Sequence, residues 1–184
     1  MFSVWFNGVR SWEDLYLVPT SRPCAAPPQV KTNFVDIPGG NGSLDLTEAL
    51  TGSLLYSDRS GSVSFIVLRK NLSVSVWDEE KGVLVTPDLS ALDDEGRTGD
   101  GTESQMYWMH RYQDIMSRIH GKKGALVFSE DPLYFYKGRF AVSEWESGEL
   151  YSTVTIEYIA SPFKYPTEHL DLYYSRELEQ YGVL

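Results

Sequence analysis

Cysteine and histidine are scarce in this chain of 184 residues, and their scarcity narrows the chemistry that it can perform. Cys24 is the single cysteine, which excludes an intrachain disulfide and a CxxC metal site. His110 and His120 lie ten positions apart on one predicted helix and do not converge, and His169 lies far along the chain. His110 shares a helix face with Asp114, but two ligands are too few for a metal site. We therefore expect no metal.

Long hydrophobic runs are also missing. No apolar segment approaches the roughly 20 residues that a membrane-spanning helix needs. Residues 1–8 lack the basic start and the longer apolar core of a secretory signal peptide. We expect a soluble protein that is assembled in the cytoplasm, without a membrane partner.

Basic residues are fewer than acidic residues. The chain has 16 Lys and Arg against 26 Asp and Glu, which gives a formal net charge of −10. Holding nucleic acid or an anionic membrane surface requires clustered Lys and Arg, and the sequence shows no such cluster. DNA could still pass through an assembly of such subunits, because an acidic wall repels a polyanion.

Apolar and aromatic residues, in contrast, are plentiful. Hydrophobic residues make up 42% of the chain and aromatic residues 14%, with 12 tyrosines and 5 tryptophans. This composition excludes a disordered chain and is enough for one ordinary domain with a substantial core. Aromatic rings of this kind suit both the faces of β-sheets and protein–protein contacts.

Strand patterns occur on both sides of a single helix pattern. The sequence does not alternate as βαβ units do, so it predicts a mainly β fold: an antiparallel β-sandwich with one packed α-helix and a β-hairpin extension. Asn7-Gly8 is a strong hairpin turn, and Asp131-Pro132 and Ser147-Gly148 supply others. The predicted strands cover residues 1–6, 15–18, 62–68, 73–77, 125–128, 134–142 and 150–159.

The predicted helix covers residues 103–120. Thr102 and Gln105 form a capping box at its start, and Gly121 is a natural terminator. One stripe along it is apolar, which predicts a face packed against a sheet. The members of this stripe are Met109, Tyr112, Ile115, Met116 and Ile119.

Three further segments have distinct characters. Residues 30–47 read as two extended runs joined by the breaker-rich turn from Pro38 to Gly42, which predicts a hairpin. Residues 78–102 gather acidic residues and glycines and predict a long exposed loop. Residues 166–184 form a C-terminal extension, either a short helix or a mobile tail.

No arrangement of residues supports an enzyme. The acidic loop lacks the alternating ligand spacing of a calcium site, and Gly39-Gly40-Asn41-Gly42 lacks the Gly-Lys-Ser/Thr ending of a phosphate-binding loop. Cys24 has no base near it in the sequence and is better explained as a small apolar residue. We expect no catalytic residues and no cofactor.

The chain resembles the N-terminal domain of siphophage distal tail proteins over about residues 1–165. No single motif is diagnostic, but the ordered set is fairly specific. In chain order its members are Asn7-Gly8, Ser11-Trp12-Glu13-Asp14-Leu15, Ser21-Arg22-Pro23, Val35-Asp36-Ile37-Pro38-Gly39, Leu44-Asp45, Tyr56, Arg59, Phe65, Ile119-His120-Gly121, Asp131-Pro132, Tyr134, Tyr136, Gly138 and Arg139.

The resemblance implies a structural protein of the virion tail of a phage or prophage. In that family six copies close into a ring between the tail tube and the tip or baseplate. The implied partners are five further copies, the tail tube protein and a tail-tip protein, with DNA passing through the lumen unbound. Longer members carry a second domain that often resembles a carbohydrate-binding module, and we expect none after residue 165.

The hairpin of residues 30–47 gives this interpretation a physical basis. A hairpin is marginal alone and gains stability by lying on a neighbour, and a contact repeated around a rotation axis closes a ring. The candidate intersubunit contacts are Phe34, Val35, Ile37, Leu44 and Leu46.

Two alternatives stay open at this point. Another β-rich tail component, such as a tube or tube-terminator protein, would share the architecture and also form rings. A small carbohydrate-binding β-sandwich would use exposed Trp and Tyr to stack on sugars, and clustered aromatics in an exposed groove would favour it.

Overall fold

The structure is a computed structural model that describes residues 2–49, 51–68, 76–78, 83–85, 102–148, 151–171, 173 and 174, with the backbone alone for 76–78, 83–85 and 102–107. These residues form twelve strands, one α-helix and one short 3-10 helix. The elements are β1 (Val4–Phe6), β2 (Val9–Arg10), β3 (Leu17–Pro19), β4 (Phe34–Asp36), β5 (Ser43–Asp45), β6 (Arg59–Leu68), β7 (Val76–Asp78), β8 (Val83–Val85), α1 (Thr102–Ile119), β9 (Lys123–Phe128), β10 (Tyr134–Ser147), β11 (Tyr151–Ala160), β12 (Tyr165–Pro166) and the 3-10 helix Thr167–His169.

An eight-stranded antiparallel sheet forms the body of the protein. Its strand order is β2-β1-β9-β10-β11-β6-β3, and β12 pairs with one end of β10. Strands β4 and β5 form a separate hairpin. The predicted mainly β antiparallel fold, with one packed helix and a hairpin extension, is confirmed.

The large sheet curls into a half-barrel. Phe6 of β1 and Phe65 of β6 are separated by four interstrand spacings in the sheet. In a flat sheet this distance would be about 19 Å. Their ring centroids are only 6.1 Å apart. At one end, the N–H of Leu17 donates to the carbonyl of Ser11 at 2.7 Å, so the start of β3 meets the residue after β2. The two layers of the fold therefore come from one curled sheet.

The concave side of the half-barrel holds the main core. Along β11, Val154, Ile156 and Tyr158 point inward while Thr153 and Glu157 are less buried, as period-two alternation predicts. Complete burial of an apolar side chain of this size contributes about 1.5–3 kcal/mol. The other fully buried members include Val4, Phe6, Leu17, Phe65, Val67, Leu126 and Phe140.

Helix α1 packs one face against this core, and the predicted stripe is correct except at Met109. Met109 was predicted on the buried face, and it is 50% exposed. Trp108 is buried in its place. Ile115 follows seven residues after Trp108, and Ile119 follows four residues after Ile115. Both spacings are close to whole turns of a helix, so the three side chains lie on one face. Tyr112 completes the face by contacting Trp145 of β10, with ring centroids 5.1 Å apart. The prediction is confirmed for Tyr112, Ile115, Met116 and Ile119, and it was wrong at Met109 because its neighbour Trp108 is apolar as well.

The predicted loop of residues 78–102 is partly wrong. Val83–Val85 is a strand that pairs antiparallel with Val76–Asp78, so this part of the chain is a hairpin. The rest of the acidic segment, 79–82 and 86–101, lies outside the described residues, and so do positions 73–75 of the strand predicted over 73–77.

Residues 165–171, 173 and 174 cover the convex side of the sheet. Strand β12 pairs Tyr165 with Phe135, and Tyr173 packs on Phe135 with ring centroids 5.5 Å apart. Ala125 and Val127 of β9 face this second cluster, which explains why β9 is apolar without alternation. The described start of the C-terminal extension is thus packed structure, while residues 175–184 lie outside the described part.

Candidate interaction surface

A hairpin arm projects from the half-barrel. Its strands β4 and β5 pair Phe34 with Asp45, Val35 with Leu44, and Asp36 with Ser43. The reversal between them uses positive φ angles at Gly39 (74°) and Gly42 (88°), where a side chain would be strained. The breaker-rich turn predicted from the sequence lies at this tip.

The arm is longer than the predicted hairpin of residues 30–47. Val30 forms a β-bridge with Tyr56, the N–H of Lys31 donates to the carbonyl of Leu55 at 2.8 Å, and the N–H of Ser57 donates to the carbonyl of Gln29 at 2.8 Å. The base of the projection is therefore closed by residues 29–31 and 55–57. We call residues 30–56 the arm.

Hydrogen bonds within the arm hold its two strands in register. The N–H of Leu46 donates to the carbonyl of Asn33 at 2.8 Å, and the N–H of Asn33 donates to the Thr47 hydroxyl at 3.1 Å. The N–H of Thr47 donates to Oδ1 of Asp45 at 2.9 Å. Bonds from the Thr47 hydroxyl and N–H lower the pKa of Asp45, so its carboxylate is charged at neutral pH.

One face of the arm is apolar and uncovered. Val35 and Ile37 are two residues apart in β4 and its continuation, and Leu44 lies directly opposite Val35. Their exposed fractions are 47%, 48% and 54%. Leu46 extends the same face and is half-buried. Neighbouring exposed apolar side chains of this kind form a patch, and such patches often mark a contact with another protein.

The opposite face of the arm is acidic. Alternation places Phe34, Asp36, Ser43 and Asp45 together on it. Phe34 is 57% exposed, and both carboxylates are exposed as well. The arm thus carries two faces of different chemistry.

All five predicted contact residues lie on the arm, four of them on its apolar face and Phe34 on its acidic face. Three exposed apolar residues at the base were missed: Val30, which starts the predicted hairpin, and Leu54 and Leu55, which lie beyond its predicted end at residue 47. The consecutive leucines after Gly52-Ser53 were the sequence signal for them. These residues add exposed apolar area at the base of the arm.

A cleft of about 390 Å³ opens on the convex side of the half-barrel, beside the base of the arm. Lys123 of β9 and Arg139 of β10 are register partners, and Lys137 follows on the same face of β10. Nη1 of Arg139 donates to the carbonyl of Gly121 at 2.8 Å, and Nζ of Lys137 lies 4.3 Å from the ring centroid of Tyr165. The remaining lining residues are Asp58, Gly138, Ile159, Ala160 and Ser161.

The histidines and the cysteine do not form a reactive site. In the described part of the chain no group of three or more His, Cys, Asp or Glu residues could hold a metal ion. His120 follows the end of α1, and its Nδ1 accepts a hydrogen bond from the N–H of Val142 at 3.1 Å, so it has a structural role. Cys24 is exposed, which corrects the expectation that it serves as a small apolar residue.

Within the described ranges, no helix is both long enough and apolar enough to cross a membrane.

The chain shares its fold with a protein of known structure, although no family model and no curated protein sequence matches it. The crystal structure of the Dit protein of phage SPP1, presented as a paradigm of the hub adsorption apparatus of phages that infect Gram-positive bacteria, superposes with a TM-score of 0.56. The sequences are 17% identical, and the match covers 90% of this chain and 52% of the SPP1 protein. The chain has a Dit-like fold and spans about half the length of that protein.

Proposed function

We propose that this protein is a structural subunit of a phage or prophage tail tip. Six copies form a ring that joins the tail tube to the distal tip or baseplate. The observation that carries this proposal is the arm, whose apolar face is uncovered in the single copy.

The energetics of the arm favour contact with another copy. An isolated two-stranded hairpin is marginally stable in water, and the strands β4 and β5 form a two-stranded sheet of their own. Covering the exposed half of each apolar side chain contributes about 1 kcal/mol, half the value for full burial. With Val35, Ile37 and Leu44 this gives about 3 kcal/mol per arm before the base residues are counted. The arm of one copy on the body of the next makes a heterologous contact, which closes into a ring.

The shared fold supports the same proposal. The SPP1 protein belongs to a phage hub, and the match extends over most of this chain. The proposed partners are the tail tube protein on one side and a tail-tip protein on the other. The proposed location is the virion tail, after assembly in the bacterial cytoplasm. With a net charge of −10, the ring wall would repel DNA and let it pass.

The alternative of a sugar-binding module has less support. Such a site would stack aromatic rings on the sugar, and the cleft on the convex side is lined by charged, small and aliphatic residues. A tube or terminator protein stays a second tail component that would also form rings, and no feature of the arm favours it over the tail tip.

Light scattering on the purified protein over a range of concentrations tests the proposal. The expected mass rises from one copy to six copies. Ile37→Asp combined with Leu46→Asp should leave a folded monomer, because two charges on the apolar face oppose its burial. Leu133→Asp is the matched control, since Leu133 is exposed but lies outside the arm. A wild-type mass of one copy throughout, or rings formed by the arm variant, would contradict the proposal.

A further inference from the structure

The cleft on the convex side concentrates positive charge in a strongly acidic protein. Lys123, Lys137 and Arg139 line it, and Asp58 is the acidic residue among the lining residues. The lining has three cations against one carboxylate, and two of the cations, Lys123 and Arg139, lie side by side as register partners. The cleft is therefore suited to a ligand that carries more than one negative charge.

An apolar side chain sits next to these cations. Ile159 is 60% exposed and pairs with Arg139 across the sheet. A surface that combines cations with an exposed aliphatic side chain fits a partner that has both carboxylates and an apolar group.

The acidic face of the arm has this composition. It presents the carboxylates of Asp36 and Asp45 with the ring of Phe34 beside them. Asp36 and Asp45 occupy diagonal positions on adjacent strands, about 7–8 Å apart. Lys137 and Arg139 are two residues apart on one strand, which is about 7 Å. The two spacings match.

We propose that the cleft receives the acidic face of the arm from a second copy of this chain, with Asp36 and Asp45 facing Lys137 and Arg139 and Phe34 covering Ile159. The inference rests on the proposed ring and adds the surface that receives the arm. The occupant is a second copy because the acidic face of the arm carries charges opposite to those of the cleft, and none of the described arm residues lines the cleft of its own chain. The apolar face of the arm then turns away from the cleft and packs elsewhere in the assembly.

The position of the cleft agrees with a repeating contact. Asp58 lines the cleft and lies two residues after Tyr56, which closes the base of the arm. About nine residues separate Val30 from the tip, so the arm reaches about 30 Å from its base. The tip and the cleft thus lie at opposite ends of the arm, as a head-to-tail contact between copies requires.

Charge reversal on the two surfaces tests the inference. The arm variant carries Asp36→Lys and Asp45→Lys, and the cleft variant carries Lys137→Glu and Arg139→Glu. Each variant alone should need about a hundredfold higher concentration to assemble, because like charges at an interface cost several kcal/mol. An equal mixture of the two should assemble again, since each reversed arm then meets a reversed cleft and each native arm meets a native cleft.

The control carries Arg118→Glu and Lys164→Glu, the same change in charge at two exposed ion pairs outside the cleft and the arm. It should assemble like the wild type. Recovery of the ring in the mixture supports the inference even where one variant is less stable alone, since a folding defect is not repaired by a partner of opposite charge.

Failure of the inference and failure of the proposed ring are distinguishable. Wild-type rings that dissolve with Ile37→Asp and Leu46→Asp, while both charge variants assemble normally, would overturn the cleft as the receiving surface and leave the ring standing. A mixture of the arm variant and the cleft variant that does not assemble would also overturn the cleft as the receiving surface. A wild-type monomer at every concentration would overturn the ring and the inference together.

Discussion

The hydroxyl of Tyr158 accepts a hydrogen bond from the N–H of Ala26 across 3.0 Å. This contact fastens the proline-rich connector of residues 19–29 to β11. Arg59 holds the same connector by donating from Nη1 to the carbonyl of Ala26 at 2.8 Å. Because the connector leads directly into the arm, these two side chains fix the place from which the arm projects.

Gly61→Ala should disturb this arrangement. A Cβ atom at Gly61 would lie 2.5 Å from the hydroxyl oxygen of Tyr158, so the ring would have to move. We expect a loss of about 1–3 kcal/mol in the free energy of unfolding, as for other overpacked sites. Chemical denaturation measures it. Ser60→Ala, at the exposed neighbouring position of the same strand, is the control, and equal losses in both variants would contradict the prediction.

Alkaline pH should weaken the fold through Tyr158. Burial raises the pKa of its phenol above the ordinary value of 10.0, so the folded state holds this proton more tightly than the unfolded state. The stabilisation is fully present below pH 10 and is lost as the pH rises through the higher pKa of the folded state.

Unfolding by urea at several pH values on either side of 10 tests this dependence. Tyr158→Phe should lose about 1 kcal/mol at neutral pH, where its hydrogen bonds are missing, and should show a shallower decline at alkaline pH than the wild type. Burial also raises the pKa of Tyr174. Tyr174→Phe should therefore also make the decline of the unfolding free energy with alkaline pH shallower, independently of Tyr158→Phe. Identical slopes in the wild type and Tyr158→Phe would be evidence against the linkage.

Trp108→Ala and Met109→Ala form a matched pair on α1. Trp108 is buried against the core and its removal should cost about 3–5 kcal/mol, which includes the cavity left behind. Met109 is half exposed on the neighbouring face, and its replacement should change stability by about 0.5 kcal/mol or less. Thermal unfolding followed by circular dichroism ranks the two. Comparable losses would mean that the helix packs on a different face.

Local features of this fold could be predicted from the sequence, and long-range ones could not. Asn7-Gly8 and the turn at Gly39 and Gly42 specify hairpins because positive φ angles are needed within a few residues. The alternation along β11 likewise fixes which side chains point inward. On the predicted helix face only Met109 was misplaced, because Trp108 and Met109 are both apolar and only the sheet that covers α1 distinguishes them.

The receiving cleft and the full length of the arm are long-range features, which the sequence alone does not reveal. Lys123, Lys137 and Arg139 become neighbours only when β9 and β10 pair, and Ile159 joins them through β11. Val30 and Tyr56 are 26 positions apart and meet only when the base of the arm closes. No short window of sequence contains these relationships.

The place of β1 in the sheet has a consequence for how the protein folds. Val4 pairs with Phe128, so one edge of β1 stays without its partner until 124 further residues have been made. At about 5–20 residues per second, that wait is about 6–25 seconds. The β1 edge of the half-barrel is therefore completed late, and we expect slow folding from contacts of such long sequence separation.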